Sequence, residues 1–170
     1  VAYMRTNVRI VGVGAGFSYG HAGTTHHAIE DISIMRSLPN MPVCCPGDPV
    51  EARGIMLYSF NHDGPMYIRF GKNGEPNIHS DKTQIIVGKA ITVIGGNDLA
   101  LITTSNMLEQ GKRWVEEWKS ENINASLVSM HTIKPIDSDF ILSIVKKRIP
   151  IITLEEHSII GGLGSAVAEI

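Results

Sequence analysis

Apolar positions in the second half of the chain alternate between runs typical of strands and spacings typical of helices. Continuous apolar runs at 99–104, 125–130 and 149–154 have the length of buried strands. Between them, residues 107–118 and 137–147 carry apolar side chains at the spacing of an amphipathic helix. Alternating strands and helices with short connections predict parallel pairing and right-handed crossovers. We therefore expect an α/β unit in this half.

The first half contains shorter elements of the same kinds. A helix is predicted over 24–36, with Thr24 or Thr25 as its N-cap. A second helix opens at Asp48-Pro49 and runs to about Phe60, because Asp is a favoured N-cap and Pro is favoured at the first helical position. The predicted strands lie at 8–11, 41–46 and 65–70. These elements favour a second α/β unit.

A boundary between the two units is predicted after the third of these strands. The chain is rich in Gly, Asn and Pro from Gly71 to Pro76 and polar through Lys82. We therefore divide it into residues 1–76 and 77–170. It begins without Met and stops inside a newly opened helix, so we expect a piece of a larger protein.

Composition narrows the class of protein further. Of 170 residues, 43% are hydrophobic and 19% are charged, with a net charge of −2, which excludes a disordered chain and disfavours a basic nucleic-acid-binding face. No apolar run reaches the length of a membrane-spanning helix, which is about 18 residues. Cys44 and Cys45 are adjacent and cannot form a disulfide framework or a CxxC metal site, so we interpret them as core residues of a reduced, cytoplasmic protein.

A glycine-rich run, Gly12-Val13-Gly14-Ala15-Gly16, follows the first predicted strand. A dinucleotide fingerprint needs G-x-G-x-x-G leading directly into a helix. Here the third glycine comes too early, and Phe17-Ser18-Tyr19 stand before any helix. We interpret the run as a loop that lets the backbone approach another group closely.

The densest group of histidines follows this loop, at His21, His26 and His27. At the start of a helix the dipole disfavours a charged imidazole, so neutral rings suited to hydrogen bonding with a substrate oxygen are expected. A zinc site lacks further ligands at the usual spacing, so no metal site is predicted. A surface or packing role for the three stays open. Arg69, at the end of a strand, is either a carboxylate or phosphate ligand or a solvated surface residue.

Polar residues also follow the strands of the second half. They are Ser105-Asn106, His131-Thr132 and Glu155-Glu156-His157, and Gly161 to Gly164 then opens a helix. The carboxyl ends of parallel strands are the usual place for ligands. Helix capping and contact with a neighbouring domain are the alternative, and for residues 155–157 we favour that alternative.

Three segments of the chain, in order, resemble the transketolase family. Residues 20–41 are similar to the family's G-x-D-G-x-T-H-x-x-x-E-x-x-x-x-R-x-x-P-N segment, and residues 132–137 and 154–167 are similar to its C-terminal domain. The resemblance implies that residues 1–76 are the C-terminal part of a pyrimidine-binding domain, with an incomplete sheet. It implies that residues 77–170 are a Rossmann-like transketolase C-terminal domain, truncated at its end.

The resemblance also implies an activity, cofactors and partners. The family transfers a two-carbon ketol unit between sugar phosphates, using thiamine diphosphate and Mg²⁺ to break a carbon–carbon bond. The diphosphate and metal are held by a G-D-G…N motif in a preceding section or subunit, so this chain alone is expected to bind neither and to be inactive. A homodimer or heterotetramer is implied. His26 falls at the substrate-contacting histidine of the T-H pair and Arg69 at an arginine that contacts the acceptor phosphate. We add His21 as a third substrate-binding candidate.

Two departures from the family pattern leave alternatives open. Ala22 replaces the family's Asp, and Gly14 replaces a histidine twelve positions before the T-H histidine. A site that lacks a partner for a substrate hydroxyl loses discrimination for it, so the donor sugar is not fixed by the resemblance. The two departures also motivate one alternative, a non-catalytic interaction subunit of the same fold. The other alternative is the beta subunit of a 2-oxo acid dehydrogenase decarboxylase component, a family that shares the fold and a glycine-rich loop ending in histidine.

Overall fold

Two four-stranded sheets and five α-helices form the computed structural model, which describes residues 1–170. The strands are β1 Arg9–Val13, β2 Val43–Cys44, β3 Met66–Phe70, β4 Ile91–Ile94, β5 Leu99–Thr103, β6 Ala125–Ser129, β7 Thr132–Lys134 and β8 Ile151–Leu154. The helices are α1 Asp31–Ser37, α2 Pro49–Asn61, α3 Met107–Ser120, α4 Ser138–Lys146 and α5 Leu163–Ala168. None of these helices combines the length and hydrophobicity needed to cross a membrane.

Both sheets are mostly parallel, and each carries one antiparallel edge strand. The first has the order β1-β3-β2-β7, with β7 antiparallel to β2. The second has the order β4-β6-β5-β8, with β4 antiparallel to β6. The α/β class is confirmed. The two antiparallel edge strands, β4 and β7, were not predicted, because their short runs carry no clear period.

The longer helices form where capping and periodicity predict them. The Asp48 side chain accepts a hydrogen bond from the Glu51 N–H at 2.8 Å, and Pro49 begins α2. The α3 helix buries Leu108, Gly111 and Val115 along one face against the second sheet. The predicted helix over 24–36 is wrong in its first half: the chain forms short 3₁₀ turns at 20–22 and 24–26, and α1 begins only at Asp31.

The two halves of the chain share one hydrophobic core. Ile32 and Val43 from the first half pack in one cluster with Ile102, Val128 and Leu163 from the second. The β7 strand, from the second half, also completes the first sheet. At the opposite edge, Val13 on β1 is 61% exposed, the apolar edge expected of an incomplete sheet. The boundary between 76 and 77 stays a prediction.

Candidate functional site

A closed loop over residues 17–27 carries all three candidate histidines. Gly16 and Ala28 pair across its base, with N–H to O=C distances of 3.0 and 2.9 Å in the two directions. This pairing occupies the Ala28 backbone groups and holds His27 in an extended conformation, so a helix cannot pass through them. The physical reason for the failed helix prediction is therefore a long-range backbone pair.

His26 and His21 are exposed on this loop, and His27 is partly buried. The His26 Nδ1 lies 3.1 Å from the Thr25 hydroxyl. His27 donates through Nε2 to the Gly20 carbonyl at 3.3 Å and packs edge-on against Phe17. Since α1 begins at Asp31, the argument that a helix dipole keeps His26 neutral does not apply. Their roles as substrate contacts stay predictions.

Arg69 is buried, with its side chain 1% exposed, so it is not a solvated surface residue. Its Nε donates to the Asp31 carboxylate at 2.9 Å, and its Nη2 donates to the carbonyls of Ala28 at 2.7 Å and Glu156 at 3.0 Å. Tyr67 donates to the same Asp31 oxygen at 2.7 Å. The sequence predicted that Arg69 either binds an anion or lies at the surface. Nothing in the sequence indicated these partners. Its role as an acceptor contact stays a prediction.

The residues after β8 contact other parts of the protein. Glu155 accepts from the N–H groups of Leu163 and Gly164 at 2.7 and 2.9 Å, at the start of α5. The Glu156 carboxylate accepts from the Phe17 N–H at 3.0 Å, at the base of the histidine-bearing loop. A Cβ at Gly16, where φ is +60°, would lie 2.2 Å from this carboxylate, so only glycine fits here.

His157 joins the end of β8 to the first half of the chain. Its Nδ1 donates to the Ser158 carbonyl at 2.8 Å, and its Nε2 accepts from the Ser33 N–H in α1 at 3.4 Å. His157 and Glu156 therefore contact the first half of the chain, and Glu155 contacts the start of α5. That these three residues are structural or interfacial rather than catalytic stays a prediction.

A buried cluster of titratable groups at the junction of the two halves was missed by sequence reasoning. The Asp48 Oδ2 accepts from the N–H groups of Ile78 and His79 at 2.9 and 2.7 Å and from the His79 ring at 3.0 Å. The His79 Nε2 lies 3.6 Å from Glu51, which also accepts from the Ser129 hydroxyl on β6. Glutamate three residues after an N-cap Asp was the available signal, but nothing local indicated its burial.

The cluster shifts the ionisation of its members in opposite directions. Burial disfavours the charge of Glu51 and raises its pKa to about 7, against the hydrogen bonds it accepts. Burial also opposes ionisation of Asp48, but hydrogen bonds from His79 and from the Glu51 N–H hold its pKa at about 2. Burial tends to lower the pKa of His79, yet the Asp48 hydrogen bond and the Glu51 charge raise it. Burial and the nearby His79 lower the pKa of His131 to about 4.

Of the two departures from the family pattern, Ala22 lies on the histidine-bearing loop and Gly14 lies three residues before it. Gly14 has φ of +95°, and a Cβ there would lie 2.4 Å from the ring of Tyr19, so the tyrosine occupies the space beside this glycine. Lys72 lies over the same ring at 5.0 Å from its centroid. Ala22 is exposed. No group of three or more His, Cys, Asp or Glu side chains in the structure is arranged to hold a metal ion.

Sequence profiles of two protein domains match nearly the whole chain. The transketolase pyrimidine binding domain matches residues 1–75, and the transketolase C-terminal domain matches residues 88–170. The chain belongs to the transketolase family. The resemblance that the three sequence segments suggested is thereby confirmed, and the family is thiamine-diphosphate-dependent.

Several transketolase relatives are themselves subunits. This transketolase-family chain is 37% identical over 169 residues to a 6-deoxy-6-sulfo-D-fructose transketolase subunit of Clostridium sp., covering 99% of the chain and 52% of that protein. It is 34% identical over 170 residues to an apulose-4-phosphate transketolase subunit of Actinobacillus succinogenes, covering all of the chain and 55% of that protein. The chain therefore spans about half the length of these relatives.

Solved transketolase structures share the fold. A split-gene transketolase, described as an inactive beta4 tetramer, superposes with a TM-score of 0.89 at 35% identity, covering 99% of this chain and 55% of that one. The transketolase of Leishmania mexicana superposes with a TM-score of 0.82 at 19% identity, covering 94% of this chain and 25% of that one. The second likeness supports the fold alone.

Proposed function

We propose that this chain is an incomplete part of the C-terminal section or subunit of a transketolase-like enzyme that transfers a two-carbon ketol unit between sugar phosphates. The observation that carries the proposal is the match, in order, of both transketolase domains over the chain, with the T-H pair of the first on an exposed loop. The subunit relatives, of which the chain spans about half, support a separate preceding section. On this proposal the chain alone is inactive.

His26 is the residue to which we assign direct contact with the substrate. Its ring is exposed, and its nitrogens can hydrogen-bond to a substrate oxygen. A donor aimed at the oxygen on which charge develops stabilises the transition state. His21 lies on the same exposed loop and is proposed as a second substrate-binding residue. The closed base of the loop limits the freedom of both.

The cofactor is assigned to the complete enzyme. Thiamine diphosphate, when bound, supplies the chemistry that breaks and remakes the carbon–carbon bond. The resemblance assigns the diphosphate and Mg²⁺ to a G-D-G…N motif, and no such motif occurs in residues 1–170. We propose that the preceding section, on the same or another chain, holds both, and that the assembly is a homodimer or a heterotetramer. The unbridged, buried Cys44 and Cys45 support a cytoplasmic location.

Reconstitution tests the proposal directly. The complete enzyme that contains this chain is produced and supplied with thiamine diphosphate, magnesium, a ketose phosphate and an aldose phosphate. Ketol transfer is expected from the complete protein and not from this chain alone. Decarboxylation of a 2-oxo acid without ketol transfer would support the dehydrogenase alternative. An assembled protein that binds cofactor but catalyses neither reaction would support the interaction subunit, which Ala22 and Gly14 favour.

A further inference from the structure

Arg69 connects three segments that are far apart in sequence. From β3 it reaches the Asp31 carboxylate at the start of α1, the Ala28 carbonyl at the base of the histidine-bearing loop, and the Glu156 carbonyl after β8. Asp31 is fixed in turn by the Tyr67 hydroxyl, which comes from the same strand as Arg69. One guanidinium thus holds the loop base to the first sheet and to the second half of the chain.

The contact with Ala28 acts on the geometry of the loop itself. The Ala28 carbonyl accepts from both the Gly16 N–H, at 3.0 Å, and Arg69, at 2.7 Å. The carboxylate of Glu156 meets the other side of the same base at the Phe17 N–H. His26 lies two residues before Ala28, so a shift of this base moves the histidine.

The burial of Arg69 argues against contact with a ligand. Its side chain is 1% exposed, and the Nη1 group left without a protein partner is itself buried. A substrate phosphate could bind Nη2 only by displacing the Ala28 or Glu156 carbonyl, each within 3.0 Å. Hydrogen bonds from a guanidinium are stronger than those between neutral groups, so giving up either carbonyl carries a cost that ligand binding would have to offset.

We propose that Arg69 is a positioning residue, which fixes the base of the histidine-bearing loop against the second half of the chain and acts on the reaction through His26. This inference rests on the proposed function and gives the strand-end arginine a different role from the acceptor contact that the resemblance implies. Lysine at this position keeps the charge opposite Asp31 but cannot serve the three partners at once.

The test uses the complete enzyme with Arg69→Lys and two acceptors, an aldose phosphate and the same aldose without phosphate. A positioning role predicts a loss in kcat on the order of 10²-fold with either acceptor, because small misplacements of a catalytic group are costly. The ratio of kcat/KM between the two acceptors is expected to stay within about twofold. In a His26→Ala background, Arg69→Lys is expected to add little further loss, because both changes act through one residue.

Arg9→Lys is the matched control. Arg9 also serves backbone carbonyls, those of Ser59 at 2.8 Å and Gly64 at 2.7 Å, but at the other end of the sheet. Amide exchange at Gly16 and Ala28 is expected to accelerate in Arg69→Lys and not in Arg9→Lys. Amide exchange can be measured without turnover. It therefore tests the role of Arg69 even if the reconstituted enzyme shows no ketol transfer.

Three results would overturn the inference. They are a loss confined to the phosphorylated acceptor and expressed in KM, unchanged exchange at the loop base, and additive losses with His26→Ala. If Arg69→Lys does not assemble, Asp31→Asn replaces it. That variant keeps the arginine and removes the negative charge opposite it, and the same comparisons of acceptor and exchange apply.

Discussion

Replacement of Glu51 by glutamine should change how the stability of this protein depends on pH. Glu51 is fully buried, and its pKa is raised from 4.5 to about 7. A carboxyl whose folded pKa exceeds its unfolded pKa binds its proton more tightly in the folded state. It therefore stabilises the fold fully below about pH 4.5, and this contribution is lost as the pH rises through about 7.

The size of the effect follows from the two pKa values. The difference between 4.5 and about 7, at about 1.4 kcal/mol per pKa unit, amounts to about 3 kcal/mol in the free energy of unfolding. Glutamine has no such proton and retains an acceptor for the Gly47 N–H or the Ser129 hydroxyl. The free energy of unfolding of Glu51→Gln minus that of the wild type should therefore rise by about 3 kcal/mol between about pH 4 and about pH 8.

Urea denaturation across this pH range, followed by the fluorescence of Trp114 and Trp118 on α3, measures the difference. Glu109→Gln is the control, because Glu109 is an exposed α3 glutamate with its side chain 45% exposed, and its difference from the wild type should stay constant. A Glu51→Gln difference that is equally constant would refute the assignment of a tightly held proton to Glu51.

Three further variants test separate parts of the structure. Asp48→Asn should cost about 2 kcal/mol in the free energy of unfolding at neutral pH, a contribution present above about pH 3.8 and lost as the pH falls through about 2. Identical acid-denaturation profiles of Asp48→Asn and the wild type would contradict this prediction. His26→Ala in the complete enzyme should slow single-turnover ketol transfer about 10²–10³-fold, and His27→Ala, whose ring serves the Gly20 carbonyl, much less. Equal, small losses of ketol transfer in the two histidine variants would favour the alternative of a non-catalytic interaction subunit. His157→Ala should lower the melting temperature and leave turnover little changed, because the His157 ring connects Ser158 to Ser33. A normally stable enzyme with turnover reduced more than about 100-fold would reverse that assignment.

Much of the fold is determined by residues that lie close together in the sequence. The α2 helix begins where Asp48 caps it and Pro49 follows, and α3 and α4 follow their apolar spacing, since each depends on residues a few positions apart. The predicted strands that became β5, β6 and β8 are continuous, mostly apolar runs that any α/β sheet would accept. The family resemblance likewise rests on short contiguous motifs.

Contacts between distant residues decided the rest. β7 has three residues and no readable period, and it is a strand because β2 offers it an edge. The 24–36 segment has helix-like spacing, but the pairing of Ala28 with Gly16 and Arg69 takes the backbone groups that a helix would use. Arg69 is buried because carbonyls 41 and 87 residues away meet its guanidinium. Periodicity records only neighbours along the chain, so such partners become visible only when the two sheets are packed together.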